Sequence, residues 1–360
     1  MVRDVLDREN PRSWWPHLLS ARQFTRQNLE YLFEQAQKMR QQMCQCGGRT
    51  TYWNDPPTSL RGQTVIVFFE EPSTRTGLSF CLAAANLQGV PIYVPDAKQS
   101  SSLYKGETVE STCRMFRQNH PGAVVVRSSN PDFPWIAANL FEDYSGRNTR
   151  KRHYTVFISA GSGDQEHPTQ ALLDAFTIWE ERGSLDDLEL LIAGDVGHSR
   201  TINSLLHLLA NCATGVTLKI ATPVIQHSSG TFAYEPPAQI VSQLSERNIG
   251  VKLIQVRCHD EMADLAATVK YGYWTRPQVE RFGTDLPSNL AEQIINIVQL
   301  TPEMLDGGLR AFHPLPHTTE VTEEAAWHEN SQFEQQASNG VPCRMALLAA
   351  CVNNSPELRR

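Results

Sequence analysis

Long apolar runs are missing from this chain. No stretch of its 360 residues approaches the roughly 18 apolar residues of a membrane-spanning helix. The first twenty residues, MVRDVLDRENPRSWWPHLLS, hold charges and a tryptophan pair where a secretory signal would have an apolar core. Positive charge is in deficit. Lys and Arg number 32 against 39 Asp and Glu, a formal net charge of −7. Nucleic acid and anionic membrane would not attract such a chain over distance, so neither is expected as a partner. An anionic substrate would have to be caught by local positive charge. Eight cysteines are scattered, and only Cys44 and Cys46 lie close, so no second pair completes a zinc site. Free thiols in a reducing cytoplasm are the expectation. No carboxylate cluster and no Cys/His constellation points to a metal, and no repeat or low-complexity run is visible.

What is present is an alternation. Helical spacing of Phe24, Leu29, Leu32, Phe33 and Met39 predicts a helix over 22–46. Short apolar strands are expected at 63–70, 90–95, 122–128 and 154–161, with helices near 77–88, 106–119 and 133–141 between them. Pro168 and Gly183 bracket a helix over 168–182. A second series follows, with strands at 189–195, 216–223, 251–256 and 294–300, helices at 200–211 and 236–247, and a last apolar helix at 344–352. Residues 227–237 and 281–293 read as surface loops or small insertions. Alternation of this kind predicts an α/β fold of two Rossmann-like parallel-sheet domains. The expected division is 1–183, with a C-terminal helix 341–360 packing back on it, and 184–340. Helix 168–182 is the expected connection between the domains, with the active site in the cleft.

Candidate site residues fall where strands give way to helices, the places where open parallel sheets bind ligands. After strand 63–70 comes "EEPSTRTG": Ser73, Thr74, Arg75 and Thr76 at a helix start suit an anion. The alternative is an N-cap at Ser73 with an exposed arginine. Arg127 follows the next strand, and is either solvated or aimed at the same cleft. In "GSGDQEHPTQ", His167 and Gln170 lie three apart, so they either face that cleft together or serve as a cap and a core histidine. His167 suits donation to a carbonyl oxygen, and Gln170 acceptance from an amide. In the second half, Arg200 opens a helix, and "TRPQVERF" places Arg276 and Gln278 two apart, with Arg281 beyond. Surface ion pairing is the plain alternative, but two arginines in one cleft suit a ligand with two carboxylates. "HPLPH", 313–317, has two prolines and room for an unusual loop. "SSSLYKGETVEST", 100–112, carries Ser101 and Lys105 on a loop that is either solvated or reaches a neighbouring subunit.

Together "STRT", "SSSLYKGE", "HPTQALLD", "GDVGHSRTINSL", "YWTRPQVERF", "HPLP" and "RMALL", in that order from about residue 60 to 350, resemble the aspartate/ornithine carbamoyltransferase family. "TRPQVER" with "HPLP" is similar to its aspartate branch. The resemblance implies carbamoyl transfer from carbamoyl phosphate to L-aspartate, giving N-carbamoyl-L-aspartate for pyrimidine synthesis, with no cofactor and no metal. It implies that Ser73, Thr74, Arg75, Thr76 and Arg127 hold phosphate. Thr76, Arg127 and His167 would polarise the carbamoyl oxygen, and Gln170 would bind its nitrogen. Arg200, Arg276 and Gln278 would hold the aspartate carboxylates, and Pro314 and Leu315 would offer carbonyls to the amine. Ser101 and Lys105 would come from the neighbouring subunit of a homotrimer, with Lys105 reaching both substrates. Glu71, Arg200 and Arg281 would lock the domains on closure. Regulatory or pathway partners fit the same family. Gly77, Cys81, "SAGSG" (159–163) and His317 depart from the family pattern. They leave two other readings, a carbamoyltransferase of specialised metabolism with another amino-acid acceptor, and a non-catalytic regulatory or structural homologue.

Overall fold

The computed structural model describes residues 15–45, 59–145, 155–228, 230–247, 249–279 and 287–353. They belong to two compact units. One comprises the chain to Phe176 and again from Asn339, and the other Thr177–Ser338.

In the first unit four strands, β1 (Thr64–Phe69), β2 (Val90–Val94), β3 (Ala123–Ser128) and β4 (Val156–Ser162), form a parallel sheet in the order β2-β1-β3-β4. β3 and β4 are almost wholly buried, whereas β2, at the edge, is half-exposed. Continuous apolar runs such as "AVVV" belong in strands covered on both faces. Phe68 of β1 meets Phe116 and Phe133 edge-on, at centroid distances of 5.1 and 6.3 Å. Burying such a ring contributes about 1.5–3 kcal/mol, which makes helices Val109–Gln118 and Phe133–Ser145 obligatory covers for the sheet. The last helix, Gly340–Val352, packs against Arg26–Gln45 and Thr74–Asn86. Ahead of the first helix, Leu18 bridges to Ile158 and lengthens the sheet beside β4.

In the second unit β5 (Glu189–Gly194), β6 (Thr217–His227), β8 (Gly250–Val256), β9 (Tyr271–Thr275) and β10 (Arg310–Phe312) are parallel, in the order β10-β9-β5-β6-β8. β7 (Gly230–Ala233) turns back antiparallel along the last four residues of β6.

Three sequence expectations are corrected. The run 294–300, expected as a strand, lies largely in the helix Leu290–Val298. Its buried residues Leu290, Ile294, Ile297 and Val298 recur at helical spacing, which a short apolar run does not reveal. The strand that 294–300 was expected to supply is β9, inside the "YGYWT" ahead of the arginines, and β10 follows it. Much of the 227–237 loop is a hairpin arm, because β6 runs on to His227 and pairs with β7. The loop 100–112, entered from the helical turn Ala97–Ser100, holds a second short turn, Ser102–Lys105, and the start of helix Val109–Gln118.

Candidate functional site

Parallel strands in one sheet present their carboxyl ends on one edge, so residues just beyond those ends gather without any sequence proximity. In the first unit that edge carries all of the donor-side candidates. Ser73 caps helix Thr74–Asn86 by backbone only, and its hydroxyl makes no capping hydrogen bond. The simple N-cap alternative therefore does not hold. Thr74 and Arg75 are exposed and Thr76 is buried in the first turn. Free N–H groups and the positive end of the helix dipole lie there too. Arg127, at the end of β3, is half-buried, and its Nε lies 3.6 Å from a Glu71 carboxylate oxygen. Glu71 is thus placed beside the candidate anion site. Beneath them Glu70 is buried. It accepts from the Ser128 hydroxyl, and its amide donates to the Arg127 carbonyl at 2.8 Å. Burial pushes the Glu70 carboxyl up, with Ser128 and Lys98 opposing.

Beyond β4, His167 and Gln170 are both buried at the start of helix Pro168–Arg182, with exposures of 4% and 8%. Gln170 Nε2 donates to Asp174 Oδ1 at 2.8 Å, so its carbonyl oxygen is the end presented as an acceptor. Asp174 also acts electrostatically on the buried Arg344, whose guanidinium lies 5.0 Å from the Phe80 centroid. Asp174 was not singled out from sequence, although its i+4 spacing from Gln170 was a usable signal. The turn before His167 is anchored as well. Glu166 accepts from the Ser20 hydroxyl at 2.8 Å and from the Ala21 amide at 2.6 Å. The segment ahead of the first helix therefore braces the His167 turn.

Ser101 Oγ donates to the Ala97 carbonyl at 2.5 Å, and accepts from the Leu103 amide at 3.2 Å. Lys105 is exposed at the end of the turn Ser102–Lys105. Gly77 has a local cause. A Cβ there would collide with the Tyr93 hydroxyl, brought in by β2. Tyr93 also lies near Cys81, one turn along the same helix; burial and then Cys81 push the Tyr93 phenol up, and burial pushes the Cys81 thiol up. An aromatic ring from β2 thus takes the room over a helix face on which both departures from the family pattern lie.

In the second unit the edge formed by β10, β9 and β5 carries the acceptor-side candidates. Gly194 of β5 pairs with Thr275 of β9, and Tyr273 of β9 with Phe312 of β10. Arg200, Arg276 and Pro314 therefore leave three adjacent strands on one side. Arg200 is 6% exposed and opens helix Arg200–Cys212. Arg276 and Gln278 are half-buried. Arg276 Nη1 donates to the Pro277 carbonyl at 3.0 Å, and Gln278 Nε2 to the Arg276 carbonyl at 3.1 Å. Arg281 lies outside the described residues.

Two buried carboxylates, neither anticipated, hold these loops. Asp195 Oδ2 accepts from the Gln278 amide at 2.6 Å, and Asp195 Oδ1 from the His198 amide at 2.9 Å. Glu320 accepts from the Thr318 hydroxyl at 2.5 Å and faces His313 Nε2 at 3.0 Å. His313 Nδ1 accepts from the Leu315 amide at 2.9 Å, so the ring proton sits on Nε2 and points at Glu320. Leu315, with φ of 55° and a cis bond to Pro316, is thereby fixed with Pro314 in an irregular turn. Burial lowers the pKa of His313 against the pull of Glu320. Burial would raise Glu320, but hydrogen bonds from His313 and Thr318 outweigh it and hold the carboxyl at about 2. Among the described residues no three His, Cys, Asp or Glu side chains gather as metal ligands would, and no helix is long and apolar enough to cross a membrane.

Known proteins share this organisation. Residues 16–180 match the family model for the aspartate/ornithine carbamoyltransferase carbamoyl-P binding domain, and residues 186–351 its Asp/Orn binding domain. The aspartate carbamoyltransferase catalytic subunit of Methanoculleus marisnigri is 33% identical over 337 residues, covering 92% of this chain and 98% of that protein. The multifunctional protein pyr-3 of Neurospora crassa is 31% identical over 336 residues, and this chain spans only 16% of its length. Among solved structures, the catalytic subunit of M. jannaschii aspartate transcarbamoylase superposes with a TM-score of 0.77 at 28% identity, covering 94% of this chain and 98% of that one. With two family models laid end to end over most of its length, and full-length relatives above 30% identity, this chain belongs to the aspartate/ornithine carbamoyltransferase family.

Proposed function

We propose that this protein transfers the carbamoyl group of carbamoyl phosphate to the amine of L-aspartate, giving N-carbamoyl-L-aspartate and phosphate for pyrimidine synthesis. The observation that carries the acceptor is the pair Arg200 and Arg276, brought to adjacent ends of β5 and β9 in one unit. Two guanidiniums with Gln278 beside them fit a ligand with two carboxylates. Ornithine, with one carboxylate and a second amine, would leave one arginine unmatched.

The donor side is assigned to 1–183 with the helix from 341, and the acceptor side to 184–340. Ser73, Thr74, Arg75, Thr76 and Arg127 hold the phosphate. Thr76, Arg127 and His167 stabilise the negative charge that grows on the carbamoyl oxygen. Gln170, oriented by Asp174, accepts from the carbamoyl nitrogen. The Pro314 and Leu315 carbonyls accept from the aspartate amine and aim its lone pair. A carbon–nitrogen bond forms as the carbon–oxygen bond to phosphate breaks, and the leaving phosphate takes the amine proton. Positioning and charge stabilisation are thus the main contributions of the protein.

Lys105 and Ser101 serve the site of a neighbouring copy in a homotrimer. Lys105 is exposed at its turn. Leu78 and Leu82, one helical turn apart, and Val90 and Ile92 on β2 are exposed on the same unit, as a surface covered by another copy would be. Cys81, Cys113, Cys212, Cys258, Cys343 and Cys351 are free thiols, which supports a reducing, cytoplasmic location.

The test is incubation of purified protein with carbamoyl phosphate and a panel of amino acids, reading ureido product and released phosphate. One phosphate per carbamoyl-aspartate, with aspartate preferred, is expected. Product only with another amine would move the protein to specialised metabolism. No product with any amine would leave the regulatory reading.

A further inference from the structure

β6 outlasts its neighbours, and β7 folds back along its end. Tyr234 follows at once, with its amide donating to the Pro223 carbonyl at 2.8 Å. The ring is buried, at 4% exposure. Its hydroxyl donates to Asp195 Oδ1 at 2.5 Å and lies 2.6 Å from His198 Nδ1. A phenol has one proton. Since Asp195 receives it, the phenol oxygen accepts from His198 Nδ1–H. The two rings stack, with centroids 6.0 Å apart. Burial, and then the Asp195 carboxylate, push the phenol pKa up, so the hydroxyl stays a donor. Gly197 admits it: a Cβ there would lie 2.7 Å from the Tyr234 hydroxyl.

The network reaches both acceptor arginines through the backbone. Asp195 takes the Gln278 amide on its other oxygen, two residues past Arg276. It takes the His198 amide on the oxygen it shares with Tyr234, two residues before Arg200. A carboxylate short of one donor turns toward another, and the guanidiniums of the same two turns are strong donors. An internal carboxylate drawn onto them would compete with a substrate carboxylate.

We propose that Tyr234 is a positioning residue of the acceptor site: delivered by the β6–β7 hairpin, its hydroxyl orients Asp195 and His198 so that Arg200, Arg276 and Gln278 are presented to a dicarboxylate amino acid. The inference rests on the aspartate reading of that site.

Steady-state kinetics of the full-length protein test it. In Tyr234→Phe the KM for aspartate rises about tenfold, the cost of one hydrogen bond to a charged group. The KM for carbamoyl phosphate and kcat stay within about twofold. The inhibition constant of succinate, the dicarboxylate without the amine, rises with the aspartate KM. Gly197→Ala, which displaces the hydroxyl, reproduces the split, and the double variant adds little to either single one. An unchanged aspartate KM in Tyr234→Phe would overturn the proposal. So would equal rises in both KM values, or full additivity in the double variant. A wild-type protein inactive with aspartate would instead overturn the functional reading, and this inference with it.

Discussion

The two units treat their buried and part-buried carboxyls in opposite ways. In the first, burial prevails. Glu70 and Glu166 are both pushed up, and their hydrogen bonds, from Ser128 and from Ala21 and Ser20, only soften the shift. In the second, hydrogen bonding prevails, and Glu320 is held at about 2 although it is fully buried. On the proposed assignment, the difference follows what each unit binds. A carboxylate with full charge beneath a phosphate site would repel the ligand, so a site for the donor is better served by carboxyls reluctant to ionise. A carboxylate that grips backbone amides is a strut, and charge makes it a better one. The proposed donor edge presents Arg75 and Lys105 exposed, while the proposed acceptor edge is held by hydrogen bonds to Asp195 and Glu320.

The largest effects are expected where an exposed cation meets ligand. Arg75→Ala and Lys105→Ala should each lower turnover by about 10²–10³ or more, the loss seen when one donor to a developing anion is removed. Neither should unfold the protein, and thermal melts check that. Mixing the two inactive variants after reversible dissociation should restore part of the activity through sites that draw on both copies. No recovery would count against sites shared between subunits.

A smaller effect separates the struts. Glu320→Gln should destabilise by about 2–3 kcal/mol, because His313 and Thr318 lose a charged acceptor. Glu70→Gln should stay within about 1 kcal/mol, since an ion reluctant to ionise gives up little when replaced by a neutral group. The signs against pH differ as well. The depressed Glu320 contributes stability that is present above its unfolded pKa of about 4.3 and lost as pH falls toward about 2. His313, whose pKa is lowered, is favoured neutral, so its contribution is lost as pH falls below its unfolded value of about 6.5. The raised Glu70 works the other way, and its cost is relieved as pH falls through its folded pKa. Melting curves between pH 7 and 3 should therefore flatten at the acid end in Glu320→Gln, and steepen in Glu70→Gln. Parallel curves would remove the contrast.

Sequence pattern reveals one of these regions better than the other. "STRT" and "HPTQ" are compact signals, because the chemistry needs adjacent residues at one helix start. Arg200 and Arg276 were also singled out, each beside a proposed helix or motif. The struts were not. Asp195 meets Tyr234 across 39 residues and Gln278 across 83, and only strand order brings such residues together. The same blindness displaced a strand onto the helix Leu290–Val298, where a run of isoleucines suits either element. The β6–β7 hairpin, read as a loop, turned out to deliver Tyr234. Gly77, noted as a departure, finds its reason in Tyr93, a residue that no motif singled out.

Arg276→Ala offers the most direct test of the proposed assignment of the donor to the first unit and of the dicarboxylate to the second. Both KM values should be measured in the same preparation. The KM for aspartate should rise about 100-fold or more, the loss of a charge-assisted contact of about 3 kcal/mol, while the KM for carbamoyl phosphate should move less than about threefold. Equal rises for both substrates, or an aspartate KM left unchanged, would contradict the assignment of the second unit to the acceptor.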